Sequence, residues 1–191
     1  ASDGDLASRY DFQISPCVDF GKFIEKVPWA VFRPTTEAQL VACVGFLGRE
    51  AIPFKVRGSG HSSGGQPLIE QGIVLDISGV SGVVTDDPEG QQVTVYAGTE
   101  WMDLVRFLRA QNRHPLVLTD NWWTTVGGTI TVGGFGDASQ QYGMQADIVD
   151  KIRIITLDGE LHEVGPGDTL FDYSLAGRAQ LGVISAATLR T

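Results

Sequence analysis

The sequence predicts a mixed α+β domain with two lobes, two small sheets and flanking helices, and three observations predict it. From Val31 onward, short apolar strands alternate with helix-patterned segments. In the second half, two pairs of strand-like runs flank tight turns, as hairpins do. Glycine is the compositional outlier, with 24 in 191 residues, about 13% against a usual share of roughly 7%. The glycines follow no three-residue period, which excludes collagen. They gather in two clusters, which places two backbone-lined loops within the fold.

Each element follows from local pattern. Residues 1–27 are polar and irregular and read as an extended arm ahead of a domain over 28–191, with lobes at about 28–80 and 81–191. Ala30 to Arg33 is a short strand that stops at Pro34. Thr36 caps a helix that sets Leu40, Val41, Val44 and Leu47 on one face. Pro53 to Arg57 is a second strand, and it runs directly into Gly58-Ser59-Gly60-His61-Ser62-Ser63-Gly64-Gly65-Gln66. The continuous apolar run over 72–78 reads as a buried strand. Residues 82–85 and 92–97 form a hairpin around Asp86-Asp87-Pro88-Glu89-Gly90. Thr99 caps a helix with Trp101, Leu104, Val105 and Leu108 at helical spacing. The second glycine cluster holds Gly127, Gly128, Gly133, Gly134 and Gly136. Beyond it, 148–157 and 160–164 pair around Asp158-Gly159, Leu170 to Leu175 is a short helix and Val183 to Leu189 a last strand. There is no internal repeat or low-complexity tract.

Composition narrows the function. A hydrophobic share of 42% with 19% charged residues is globular and excludes disorder. No apolar run approaches the roughly 20 residues of a membrane-spanning helix. A formal net charge of −9 argues against nucleic-acid or anionic-membrane partners, which need a basic face. It also means that a bound phosphate is held mainly by backbone N–H groups. Cys17 and Cys43 allow at most one disulfide; Cys43, in an apolar helix, reads as a buried thiol. Two cysteines fix no compartment, and a cytoplasmic or a secreted chain fits equally. An opening at Ala1 without Met is what a processed or trimmed chain shows.

The first cluster is no dinucleotide fingerprint, because Ser63 stands where the third glycine belongs, and no P-loop, because no Gly-Lys-Ser/Thr follows. Its small residues can still wrap a pyrophosphate with free N–H groups; read alone, it is equally a flexible surface loop. A lone histidine such as His61 is most often a solvated or hydrogen-bonded side chain, and His114 and His162 receive no role. No Cys/His/Asp cluster has metal spacing, so no metal site is expected, and no Gly-x-Ser-x-Gly elbow marks a serine hydrolase. Leu118-Thr119-Asp120-Asn121-Trp122-Trp123 precedes the second cluster. Asp120 there is most simply a turn or cap residue, and the tryptophans are core or the wall of a planar ligand.

Arg57-Gly58-Ser59-Gly60-His61-Ser62, with Gln66 beyond, resembles the flavin-attachment loop of the vanillyl-alcohol-oxidase (PCMH-type) FAD-binding fold. Pro34-Thr35-Thr36-Glu37-Ala38-Gln39-Leu40-Val41 resembles its entry helix, Thr125-Val126-Gly127-Gly128-Thr129 its second nucleotide loop, and Leu181-Gly182-Val183-Ile184-Ser185 the strand closing its second lobe. Asp19-Phe20-Gly21, Gly-His-Ser in the attachment loop, Thr119-Asp120 and Gly143-x-Gln145 narrow the likeness to cytokinin dehydrogenases. The resemblance implies FAD carried covalently by His61, and a cofactor site built from Arg57, Gly58, Ser59, Gly60, Ser62, Gln66, Asp120, Thr125, Gly128, Thr131, Gly134 and Ile184. Within it, Gly58, Gly60, Ser62 and Gln66 meet the pyrophosphate and its neighbours, and Ile184 the adenine end. It implies that Asp120 is the catalytic base in the oxidation of an amine or alcohol, a small-molecule substrate, by hydride transfer to the flavin. That family's chains are well over twice as long, with a substrate cap and a C-terminal return after the strand over 183–189. The expectation is therefore a fragment, one chain of a split enzyme, or a stand-alone flavin domain, with a second chain or a further copy completing the site. The alternative is an FAD-binding or non-redox scaffold module without dehydrogenase activity.

Overall fold

The computed structural model describes residues 17–191; the part of the expected arm over 1–16 lies outside the described residues. The rest of that arm is not irregular. Cys17–Val18 (β1) and Glu25–Lys26 (β2) pair antiparallel, Cys17 opposite Lys26. Two residues per strand give no period to read, so the pairing is invisible in the sequence.

Ala30–Phe32 (β3), Phe54–Arg57 (β4) and Ile73–Asp76 (β5) form a parallel sheet in the order β3-β5-β4. The helix Glu37–Arg49 (α1) links β3 to β4, and the Thr36 hydroxyl accepts from Gln39 N at 3.2 Å as its N-cap. Leu40, Cys43, Val44 and Leu47 are its buried residues of apolar side chain. The strand expected over 72–78 ends at Asp76: its carboxylate accepts from Ser78 N at 3.0 Å and turns Ile77–Gly79 into a 3-10 turn.

The second sheet is antiparallel, with Val83–Asp87 (β6), Gln92–Tyr96 (β7), Val149–Ile155 (β8), Leu161–Val164 (β9) and Val183–Arg190 (β10) in the order β6-β7-β10-β8-β9. Both expected hairpins are present. The last strand is the central one, and it is buried over almost its whole length. Trp101–Arg109 (α2) buries Trp101, Leu104 and Leu108. Thr99 does not cap it: the Thr99 hydroxyl accepts from Gly82 N at 2.9 Å, and Glu100 occupies the cap position without a side-chain bond. A tertiary partner thus outcompetes a local one that the sequence suggested.

Short helices Val126–Ile130 (α3), Ser139–Tyr142 (α4) and Thr169–Ser174 (α5) complete the fold. One apolar core joins α1, α2, α3 and the faces of both sheets, centred on Leu40, Leu75, Trp101, Ile130, Ile152 and Leu189. A polar seam crosses the same junction. The Ser185 hydroxyl donates to Glu37 Oε1 at 2.6 Å, and the other Glu37 oxygen meets Arg153 at 3.1 Å.

Candidate functional site

 The two glycine clusters, at 58–65 and 127–136 in sequence, meet in space. Gly58, at the end of β4, stands so close to Thr125 that a Cβ on it would run into Thr125 Oγ1. Only glycine admits that approach. Gly127 is pressed in the same way on Ala97, whose carbonyl accepts from Gly127 N at 2.8 Å. Buried Trp101 Nε1 donates to Thr129 Oγ1 at 2.8 Å and fixes α3 on α2.

Between the loops runs a groove of about 1160 Å³. Gly58, Ser59, Gly60, His61, Ser62 and Gln66 line it from the first loop. Thr125, Gly128 and Thr131 line it from the second, and Ile184 from β10. Gly60 has φ +79°, the left-handed region that glycine enters without cost. Among the described residues, no acceptor meets the N–H groups of Gly60, His61 and Ser62. His61 Nδ1 lies 3.0 Å from Ser59 Oγ, and a hydroxyl can serve either imidazole tautomer.

Three expected residues lie elsewhere. Arg57 is turned away from the lining: it pairs with Asp76 at 2.8 Å and donates to Cys17 Sγ at 3.6 Å. Gly134 packs on buried Gln145 and accepts from Gln145 N at 2.8 Å. Asp120 is exposed and lines a separate pocket of about 480 Å³ with His114, Thr119, Trp122 and Asp137. The groove also has lining that sequence reasoning missed, namely Lys55, Arg178, Ala179 and Gln180. Arg178 and Ala179 hold φ of 56° and 57°, and Arg178 N donates to Thr131 O at 2.9 Å. The small-residue run before β10 was the available signal, but a left-handed backbone at Arg and Ala leaves no mark in sequence.

Two cations therefore face the groove, and the other donors toward a phosphate are uncharged: backbone N–H groups, hydroxyls and amides. Unpartnered N–H groups, glycine-only approaches and an imidazole on one wall fit a dinucleotide such as FAD. The sequence model described as "FAD binding domain" matches residues 28–165. The chain belongs to this FAD-binding family.

Similarity extends beyond the family's matched segment. The chain is 38% identical to an "uncharacterized oxidoreductase" of the fasciation locus of Rhodococcoides fascians, over 90% of this chain and 39% of the relative. It is 36% identical to cytokinin dehydrogenase 10 of Oryza sativa subsp. japonica, over 97% of this chain and 36% of the relative. It is 28% identical to cytokinin dehydrogenase 4 of Arabidopsis thaliana, over 90% and 36% respectively. The chain thus spans under two-fifths of the length of these curated relatives.

Among the described residues, no group of three or more His, Cys, Asp or Glu side chains could hold a metal ion. No described helix is long and apolar enough to cross a membrane. Cys17 and Cys43 are both buried, and no disulfide joins them. Burial pushes the Cys43 thiol from 9.0 up to about 12.

Proposed function

We propose that this chain is the cofactor-binding part of an oxidoreductase that carries FAD covalently on His61 and oxidises an amine or alcohol. The observation that carries the reading is the shared groove: the His61 loop, the Thr125–Thr131 stretch and Ile184 line one space. The oxidoreductase relatives support the reaction class.

When bound, FAD supplies a two-electron, hydride-accepting centre. The N–H groups of Gly60, His61 and Ser62 would donate to the pyrophosphate, and Lys55 and Arg178 would add positive charge to the lining. The Ser59 hydroxyl, 3.0 Å from His61 Nδ1, steadies the orientation of the imidazole. Attachment would place a ring nitrogen of His61 on the flavin 8α-methyl, one C–N bond taking the place of an imidazole N–H and a methyl C–H bond, and the two electrons and two protons released would go to dioxygen. Asp120, beside Trp122, would act as the base for the substrate N–H or O–H proton. A small-molecule substrate needs that pocket closed from water, and a further segment, a second chain or another copy would supply the closure.

Intact mass of the purified chain tests attachment directly. The expected result is the mass of the chain plus FAD, with yellow colour kept in the acid-precipitated pellet, and loss of both in His61→Ala. A white pellet under a yellow supernatant refutes covalent attachment. A colourless chain that takes up no FAD favours the scaffold module. Asp120→Asn should keep the flavin spectrum and slow substrate reduction of the flavin by roughly 10²–10⁴-fold; equal rates remove Asp120 from the mechanism.

A further inference from the structure

The turn after β1 lies outside the groove lining, yet it grips the loop that carries His61. Asp19 is only 3% exposed, and its Oδ1 accepts from Phe23 N at 2.9 Å and Ile24 N at 3.0 Å. Asp19 N donates to Ile24 O at 3.0 Å, and Lys22 N to Asp19 O at 3.0 Å. One buried carboxylate thus closes the turn from within, and the β1–β2 pair holds its two ends.

The closed turn presents Phe20 to the attachment loop. Phe20 N donates to Ser62 O at 3.1 Å, and the Phe20 ring lies with its centroid 4.9 Å from that of His61, tilted by 36°. The contact continues along the loop: Ile24 packs on Gly65. The Phe20 side chain is 59% exposed, so core filling does not account for it. A phenyl ring left half in water and laid against one imidazole is placed for that imidazole. The loop needs such a restraint, because its glycines leave the backbone around His61 little stiffness of its own.

We propose that Phe20 is a positioning residue, held by the Asp19-closed turn, which fixes the orientation of the His61 imidazole and thereby speeds its attachment to the flavin. The rate effect rests on the reading that His61 carries FAD; the orientation does not. An aromatic contact of this kind corresponds to a roughly two- to tenfold change in rate.

The experiment uses the full chain made in flavin-depleted cells, mixed with FAD in air and followed by intact mass. Wild type and Phe20→Tyr should gain the FAD mass at the same rate, and Phe20→Ala and Phe20→Leu roughly two- to tenfold more slowly. In histidine-labelled chain without FAD, the His61 ring protons should be displaced upfield by the Phe20 ring, and the displacement should vanish in Phe20→Leu. Leu keeps most of the volume, so the fold survives the substitution. A wild-type attachment rate in Phe20→Leu overturns the proposal, as does an undisplaced His61 in wild type. If wild type gains no mass, the attachment reading fails instead, and the ring displacement alone decides whether Phe20 orients His61.

Discussion

Gly58→Ala should destabilise the fold and drive the two loops apart, and the damage should depend on Thr125. The added Cβ would stand 3.2 Å from Thr125 Cβ and 3.3 Å from Cγ2, and would overlap Oγ1. Thr125 cannot yield easily: it is buried, its hydroxyl accepts from Gly128 N at 3.3 Å, and its carbonyl accepts from Thr129 N at 3.1 Å. Overpacking at such a site costs about 1–3 kcal/mol. Thr125→Ala alone loses the cap of α3, about 1 kcal/mol. In the double variant the alanine at 58 occupies space that the threonine has vacated. Its loss should fall short of the sum of the singles by about 1–2 kcal/mol. Urea unfolding with linear extrapolation measures all four chains, and each kcal/mol corresponds to roughly 2–4 °C in Tm at this size. Single losses that add to within about 0.5 kcal/mol would refute the contact between the loops.

Arg113 ties β6 to β7, pairing with Asp86 at 2.6 Å and donating to Gln92 O at 3.0 Å. Arg113→Ala should cost about 2–4 kcal/mol in urea unfolding, because it strands a mostly buried carboxylate; a loss under about 0.5 kcal/mol would sink this account. The Cys43 thiol has its pKa raised by burial to about 12 from 9.0, so its stabilising share is complete below pH 9 and is lost as pH rises toward 12. The advantage of wild type over Cys43→Ala should therefore shrink above pH 9, by up to about 1.4 kcal/mol per pH unit. A difference that stays constant from about pH 8 to 11 counts against burial of the thiol.

Much of the fold was legible because its signals are local. Thr36 with Leu40, Val44 and Leu47 states a capped amphipathic helix, and the turns at 86–90 and 158–159 state hairpins. Thr99 carries the same local signal and misleads, because Gly82 claims its hydroxyl across the fold. The glycine clusters were legible as loops, whereas their partners were not: that Gly58 faces Thr125, and Gly127 faces Ala97, is decided by tertiary packing. For the same reason Gly134 and Arg57, read as cofactor contacts, face Gln145 and Asp76. Arg178 entered the groove unannounced, through a backbone conformation that no residue type there encodes.

The position of β10 has a kinetic consequence. β7 and β8 pair with β10 and not with each other, so each lacks its second neighbour until residues 183–190 arrive. On a ribosome, the nascent chain would present two open strand edges until residues 183–190 emerge, a state exposed to misassociation. Ile184 lies on that strand, so the groove is complete only once β10 has joined the sheet. Cofactor capture then follows the assembly of this sheet and cannot template it.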